Sequence, residues 1–124
     1  LVEDNELNME IAEFLLENEN AVITKAWNGK EAADIFQKEP EGSFDVILMD
    51  IMMPVMDGLT AARTIRAMYK RDAKTIPIIA MTANAFEEDR KRSREAGMNG
   101  HLAKPLNIQD IIGTIAECIQ CTSS

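Results

Sequence analysis

Five short apolar runs alternate with stretches of helical periodicity, and this alternation limits the fold more than any other feature of the sequence. The third and fourth runs, residues 46–49 and 78–81, are apolar at every position, which is typical of strands buried on both faces of a parallel sheet. The other runs are residues 1–2 and 21–24, with a weaker one at residues 101–103. The order (βα)5 predicts an α/β protein with a parallel sheet, right-handed crossovers and helices on both faces.

The helices between these runs have recognisable first residues. Asn28 is followed by Glu31, and Asn84 by Glu87, which is the spacing of a capping box with Asn as the N-cap. Three further helices are predicted over residues 6–17, over residues 59–70 and from Asn107 onward. The last of them has an apolar stripe at Ile108, Ile111, Ile112, Ile115 and Ile119.

Length and composition predict one soluble globular domain over residues 1–124. The chain is 46% apolar and 27% charged, and it contains no apolar stretch long enough to cross a membrane. A net charge of −8 argues against nucleic acid as a partner, because phosphate binding depends on clustered Lys and Arg. Cys118 and Cys121 close an apolar helix and are interpreted as ordinary helix residues, which favours a reducing, cytoplasmic compartment.

The first run is unusually short. Only Leu1 and Val2 precede polar residues, whereas strands usually have about five or six residues. We therefore expect the first strand to be truncated at the N-terminus and the chain to be a piece of a longer protein.

Carboxylates follow two of the predicted strands. Glu3 and Asp4 come directly after the first run, and Asp50 ends the third. Ligands of open α/β sheets bind at the carboxyl ends of the strands, so these acids are expected to converge there. Three adjacent like charges call for a cation, and oxygen ligands without His or Cys favour Mg²⁺. The alternative is that Asp4 or Asn5 simply caps the following helix.

Two further strand ends supply groups that suit a phosphoryl ligand. The fourth run is followed by Thr82 and Ala83, and the fifth by Lys104 and Pro105. A hydroxyl, a backbone N–H and an ammonium beside a metal and a carboxylate match what the oxygens of a transferring phosphoryl group require.

The segments at the four strand ends resemble those of a known family. They read Val2-Glu3-Asp4-Asn5, the stretch from Ile47 to Gly58, Met81-Thr82-Ala83-Asn84-Ala85 and His101-Leu102-Ala103-Lys104-Pro105. Over essentially the whole chain the sequence resembles a receiver domain of the two-component and phosphorelay family, most closely the receivers of hybrid sensor histidine kinases. The resemblance implies a flavodoxin-like strand order 2-1-3-4-5 in a single receiver domain.

The same resemblance implies a role for each acid. Asp50 would accept a phosphoryl group from a phosphohistidine. Mg²⁺ would be held by Asp4, Asp50 and the backbone carbonyl of Met52, with Glu3 acting through a water molecule.

The phosphoryl oxygens would be bound by Thr82 and the Ala83 N–H, and Lys104 would pair with the acceptor site. The peptide bond before Pro105 is expected to be cis. Many family members have an aromatic switch residue where this chain has His101, so Thr82 and His101 are the candidate switch pair. The interpretation we favour for His101 is a partly exposed strand residue.

Two alternative functions remain open from the sequence. One is a small Mg²⁺-dependent phosphohydrolase with an Asp nucleophile. Such an enzyme should have a second acid two residues after the nucleophile, where this chain has Met52, and a substrate lid for which the chain leaves no room. The other is a free-standing response regulator. Whether the parent chain is an enzyme, such as a histidine kinase, is left undecided.

The expected partner is a histidine kinase or a histidine-phosphotransfer domain, with neither nucleic acid nor membrane contacted by this domain. Receivers of this kind dock their partner mainly through the first helix and the loops around the acceptor Asp. Periodicity directs Ile11, Leu15 and either Leu7 or Asn8 towards the sheet. Met9 is therefore predicted to be exposed and available for docking, although a scattered surface Met is an equal alternative.

Overall fold

A computed structural model describes residues 1–40, 42–51, 56–68, 72–82, 87–103 and 106–123, with the backbone alone described at 87–90 and 118–123. The helices are α1 (Glu6–Glu17), α2 (Gly29–Lys38), α3 (Gly58–Arg66), α4 (Glu87–Glu95) and α5 (Ile108–Ser123). The strands are β1 (Ile47–Asp50), β2 (Ile78–Thr82) and β3 (Gly100–Ala103), and a short 3-10 helix covers Asp72–Lys74. Within the described ranges, no helix is both long and apolar enough to span a bilayer.

Side-chain caps fix the first residues of three helices. The Asn5 side chain accepts a hydrogen bond from the Asn8 N–H at the start of α1, and Asp57 accepts one from the Thr60 N–H at the start of α3. Asn28 caps α2 by accepting from the Glu31 N–H at 2.9 Å. The N-cap predicted at Asn28 is confirmed, and the Glu31 carboxylate accepts from the Asn28 side-chain amide at 3.1 Å. The capping box predicted at Asn84 lies outside the described residues.

The sheet is parallel throughout. β2 lies between β1 and β3, with Ile47 opposite Ile78 and Ile79 opposite Gly100. Val2 extends the sheet beyond β1 through parallel bridges to Met49 and Ala26. The spatial order of the five segments is therefore the predicted 2-1-3-4-5, with the first two represented by single bridges.

The predicted strand over residues 21–24 is wrong. Residues 21–25 are all described and form no strand, and Val22 is 98% exposed. The N-terminal nitrogen of Leu1 donates to the Thr24 carbonyl at 3.1 Å. A β-rich sequence needs a paired neighbour to become a strand, and here that pairing begins only at Ala26.

Two apolar clusters cover the two faces of the sheet. One packs α2 and α3 against Val2, Met49 and Ile78, and the other packs α1 and α5 against Leu48, Ile79 and Met81. β1 and β2 are buried at every residue because they contribute to both clusters. The sequence prediction of helices on both faces is confirmed.

The rotation of α1 about its axis differs from the prediction. Met9, Ala12 and Leu16 are buried. Because the Met9 side chain is only 1% exposed, the prediction that it lies at the surface is wrong. Leu7, Ile11 and Phe14 are 64%, 45% and 65% exposed instead. The helix is apolar on two stripes, and periodicity alone does not show which stripe faces the sheet.

Two other helices depart from expectation. α3 ends at Arg66 rather than at residue 70, and its C-cap is Ala67. In the stripe predicted for α5, Ile111 is fully buried, but Ile112 is 46% exposed. The stripe is wider than the face that the sheet can cover, so one of its members is left at the surface.

Candidate functional site

Three carboxylates meet at the carboxyl ends of the first strand segment and β1. One oxygen from each of Glu3, Asp4 and Asp50 lies within 4.8 Å of the others. Glu3 and Asp50 are 2% and 5% exposed, whereas Asp4 is exposed. The predicted convergence of these acids is confirmed by this geometry.

Backbone pairing fixes the positions of these acids. The Asp50 N–H donates to the Val2 carbonyl at 2.9 Å, and the Glu3 N–H donates to the Ala26 carbonyl at 3.1 Å. On the other side of β1, the Ile51 N–H donates to the Met81 carbonyl at 3.2 Å. The backbone of Asp50 is therefore held between two neighbouring strand segments, which fixes its Cα at the sheet edge.

The alternative that Asp4 or Asn5 caps the first helix can be decided from the start of α1. Asn5 is the N-cap of that helix, which leaves Asp4 free of the capping role. The Asn5 N–H also donates to Oε1 of Glu3 at 3.2 Å. Asn5 thus both begins the helix and orients one of the buried acids.

Thr82 lies at the same edge of the sheet. It is the last residue of β2, is 6% exposed, and follows Met81, which is paired with Asp50. His101 of β3 pairs with Ala80 of β2 and is partly buried, in agreement with the interpretation as a partly exposed strand residue. The parallel register therefore places Thr82 on the strand adjacent to Asp50.

Four predicted features fall outside the described residues. They are the Met52 carbonyl, the Ala83 N–H, the Lys104 ammonium and the peptide bond before Pro105. The structure thus places Glu3, Asp4, Asp50 and Thr82 of the predicted site, together with His101 on the neighbouring strand.

Two glycines support the site, and the sequence analysis assigned them no role. The Gly58 N–H donates to the Ile51 carbonyl at 2.9 Å, closing the loop after Asp50. A Cβ at Gly58 would collide with the Asp50 carbonyl and come within 2.9 Å of the Ile51 Cα. The Gly29 N–H donates to the Met56 carbonyl at 3.1 Å, and a Cβ there would meet that oxygen at 2.5 Å. The available signal was the Asn-Gly and Asp-Gly pairs at helix starts, which indicate close backbone approach.

The donor set fits a hard divalent cation. All three groups are carboxylates, which are the ligands that Mg²⁺ and Ca²⁺ prefer, and none is His or Cys. Two of them are buried, so their mutual repulsion is poorly screened by water. A cation at this position would remove that repulsion.

Comparison with known proteins identifies the arrangement. The family model of the response regulator receiver domain matches residues 1–116. The chain belongs to this family. The resemblance found in the sequence is therefore confirmed, and this receiver domain is part of the two-component signalling class of proteins.

Two kinases illustrate the relationship. "Probable histidine kinase 1" of Oryza sativa subsp. indica is 36% identical over 149 aligned residues, covering 97% of this chain and 15% of that protein. "Hybrid signal transduction histidine kinase I" of Dictyostelium discoideum is 36% identical over 119 residues, covering 92% of this chain and 7% of that protein. The receiver domain is thus homologous to receivers of hybrid histidine kinases, and it spans 15% or less of the length of these two relatives.

A solved structure shows the same fold. The receiver domain of a sensor histidine kinase from Pseudomonas aeruginosa PAO1 has a TM-score of 0.84 and 36% identity, covering 96% of this chain and 93% of that one. A magnesium ion is coordinated in the active-site cleft of that protein.

Proposed function

We propose that this receiver domain accepts a phosphoryl group on Asp50 from a phosphohistidine, with Mg²⁺ bound at the adjacent acids. The observation that carries the proposal is the convergence of Glu3, Asp4 and Asp50 within 4.8 Å at one sheet edge. Thr82 at the end of the adjacent strand supplies a hydroxyl for the phosphoryl oxygens. The Mg²⁺-containing receiver from Pseudomonas aeruginosa supports the choice of metal.

Each residue has a defined part in the site. Asp4 and Asp50 would hold the metal directly, and the buried Glu3 would act through a water molecule. Bound Mg²⁺ supplies neutralisation of the negative charge on the phosphoryl oxygens. By resemblance, the Met52 carbonyl completes the metal ligands, while Ala83 and Lys104 bind the phosphoryl group from the remaining strand ends.

The transfer step requires little covalent chemistry from the protein. A carboxylate oxygen of Asp50 forms a bond to phosphorus as the P–N bond to the partner's imidazole breaks, and the electron pair of that bond stays on nitrogen. The product is an acyl phosphate, and the partner histidine takes up a proton to end neutral. Positioning and charge neutralisation carry the catalysis, so the rigid placement of Asp50 between two strand segments is directly useful.

The partner surface is proposed on α1. Leu7, Ile11 and Phe14 recur at the spacing of one helical face and are all exposed. The helix begins two residues after Asp4, so this apolar stripe leads away from the site. An exposed apolar stripe beside a reactive site is typical of a protein-binding surface.

Charge indicates the chemistry of that partner. α1 contains Glu6, Glu10, Glu13 and Glu17 and no basic residue. Glu13 is paired with Lys25 at 3.0 Å, while the other three acids are exposed. We propose that the partner is a helical phosphotransfer surface with an apolar centre and basic residues around it, since complementary charge speeds association.

Ile11→Ser tests the docking surface, and Ile112→Ser on α5 is its matched control. The two isoleucines are 45% and 46% exposed, so both substitutions remove the same side chain at the same exposure. We expect Ile11→Ser to slow transfer from a histidine-phosphotransfer domain by about tenfold, the loss expected at an interface hot spot. Labelling by acetyl phosphate should be unchanged in both variants. Equal slowing by the two variants would exclude α1 as the docking surface.

The alternative of a phosphohydrolase is tested by turnover. A receiver forms one acyl phosphate per chain, whereas a hydrolase releases phosphate continuously from a small phosphomonoester. We expect incubation with acetyl phosphate and Mg²⁺ to add the mass of one phosphoryl group to the native chain and none to Asp50→Asn. Sustained phosphate release from a phosphomonoester would favour the hydrolase.

A further inference from the structure

Residues 26–29 form a short bridge between two chain segments that meet at the acid cluster. At one end of the bridge, the Ala26 carbonyl accepts a hydrogen bond from the Glu3 N–H at 3.1 Å. At the other end, the Gly29 N–H donates to the Met56 carbonyl at 3.1 Å. The bridge therefore joins the segment that carries Glu3 to the connection between β1 and α3.

The bridge has little freedom to change its length. Asn28 is extended, with φ −160° and ψ 173°, and its side chain is held by the Glu31 N–H at 2.9 Å. Gly29 is the first residue of α2, and the first N–H groups of a helix have no partner within the helix. The Met56 carbonyl satisfies the Gly29 N–H, so the start of α2 and Met56 are held together.

The close approach at Gly29 leaves no room for a side chain. A Cβ there would lie 2.5 Å from the Met56 carbonyl oxygen, 2.9 Å from the Ala61 Cβ and 3.1 Å from the Asp57 carbonyl oxygen. Two of these three neighbours are backbone atoms, which cannot rotate away as the end of a flexible side chain would. An added methyl group would therefore push residues 56–57 away from α2.

Residues 56–57 are in turn tied to the acid cluster. Asp57 is the N-cap of α3, and the next residue, Gly58, donates its N–H to the Ile51 carbonyl at 2.9 Å. Ile51 directly follows Asp50. A displacement of residues 56–57 would thus reach Asp50 and the segment that follows it.

We propose that Gly29 is a positioning residue for the metal site. Its N–H and its lack of a side chain set the separation between α2 and the segment that follows Asp50, which contains the Met52 carbonyl expected by resemblance to bind the metal. Groups that orient metal ligands without touching the metal change metal affinity by about 10–100-fold when they are altered. The inference rests on the proposed function, because it takes Mg²⁺ to bind at the acid cluster.

The test is the Kd of the 124-residue chain for Mg²⁺, measured by titration of its amide NMR resonances. Gly29→Ala is compared with Ala33→Gly, which lies one turn further along α2 at a buried position. Ala33→Gly weakens the same helix and adds no atom near Met56. We expect Gly29→Ala to raise the Kd by about tenfold or more and Ala33→Gly to leave it unchanged. Equal Kd values for the native chain and Gly29→Ala, or equal weakening in the two variants, would overturn the proposal.

Asp50→Asn separates this inference from the proposed function. Weaker binding in Asp50→Asn locates the Mg²⁺ ion at the acid cluster. If the native chain binds no Mg²⁺, or binds it as tightly as Asp50→Asn does, the proposed metal site is wrong and this inference is wrong with it. Binding that is weakened by Asp50→Asn and not by Gly29→Ala would overturn the role of Gly29 alone.

A double variant distinguishes the Met56 carbonyl from the packing of the two helices. In Gly29→Ala/Ala61→Gly the collision with the Ala61 Cβ is removed, whereas the collision with the Met56 carbonyl oxygen remains. We expect this variant to bind Mg²⁺ as weakly as Gly29→Ala does. Recovery of the native Kd would assign the effect to the packing of α2 on α3 and contradict the proposal.

Two further measurements test the displacement without relying on a change of affinity in Gly29→Ala. In EDTA, the Gly58 N–H should exchange faster in Gly29→Ala than in Ala33→Gly, because its bond to Ile51 closes the displaced segment. If Gly29→Ala does not fold, replacement of the Gly29 amide by an ester removes the N–H and adds no side chain. That form should also bind Mg²⁺ more weakly than the native chain. An unchanged Gly58 exchange rate, or native affinity in the ester form, would overturn the proposal.

Discussion

Gly58 has its Cα against the backbone of Asp50, the proposed phosphoacceptor. Its N–H closes the loop onto Ile51, and a Cβ would collide with the Asp50 carbonyl. Because that neighbour is strand backbone, it cannot rotate away as a flexible side chain would. Relief of the collision therefore has to displace Asp50 or the start of α3.

Gly58→Ala should consequently reduce both stability and phosphorylation. Overpacking costs about 1–3 kcal/mol, and the displaced Asp50 should accept phosphate from acetyl phosphate more slowly. Gly113→Ala is the matched control, because it lies in α5 and a Cβ there has nothing within 4 Å. That control should gain about 0.5–1 kcal/mol from helix propensity. Urea unfolding and labelling rates measure both effects, and equal rates in the two variants would contradict the role of Gly58.

For individual residues, the sequence predicted the positions of the charged groups well and the close contacts between atoms poorly. Glu3, Asp4 and Asp50 could be predicted because parallel strands end at one edge, so position in the chain implies proximity. The collision at Gly58 could not, because it depends on how α3 approaches β1 to within a few tenths of an ångström. Met9 was misassigned for a related reason, since helix rotation is set by packing.

Among the structural elements, α3 is tied to the opposite end of the sheet by Arg66. Its guanidinium donates to the Gly97 carbonyl at 3.0 Å, to the Ala73 carbonyl at 3.0 Å and to Oδ1 of Asn99 at 2.7 Å. The three contacts join the end of α3 to the 3-10 helix and to the loop before β3. Burial lowers the pKa of this guanidinium, so the hydrogen bonds hold a partly desolvated cation.

Arg66→Lys should destabilise the domain without changing its chemistry. Lys lacks the planar array of donors that satisfies three acceptors at once, and we expect a loss of about 2 kcal/mol from hydrogen bonds to a charged group. Labelling of Asp50 by acetyl phosphate should be unaffected below the unfolding transition. The residues that Arg66 contacts lie at the end of the sheet opposite to Asp50. A stable variant with slowed labelling would instead link Arg66 to the site.

The sequence also predicted the elements unevenly. β1 and β2 could be predicted because residues 46–49 and 78–81 are apolar at every position, and both strands are buried from both faces. Residues 21–24 have the same β-rich composition, yet they form no strand. Strand formation depends on a neighbour that composition does not reveal.

In the 124-residue chain, burial of the α-ammonium at Leu1 makes stability depend on pH. Burial lowers the pKa of the Leu1 α-ammonium from 8.0 to about 6. Between these values the unfolded chain binds more protons than the folded one, so stability rises with pH. Above about pH 8 the α-ammonium does not reduce the free energy of unfolding. Below pH 6 it reduces the free energy of unfolding by about 2–3 kcal/mol, because each unit of pKa shift corresponds to about 1.4 kcal/mol.

Urea midpoints at pH 6 and pH 8 measure this effect when the native chain is compared with its N-acetylated form. Acetylation removes the titrating amine and leaves the other ionisable groups as they are, so the native chain should gain more stability between the two pH values. Measurement in EDTA keeps metal binding out of the comparison. An identical gain in the two forms would show that Leu1 does not contribute.

The proposed function depends on metal-dependent acceptance of the phosphoryl group by Asp50. The most direct measurement is transfer from a phosphorylated histidine-phosphotransfer domain with Mg²⁺ or with EDTA, followed by borohydride reduction of the acyl phosphate and peptide mapping. We predict one reduced residue, at position 50, in the Mg²⁺ sample and none with EDTA. Reduction at another carboxylate, or equal labelling without metal, would contradict the account.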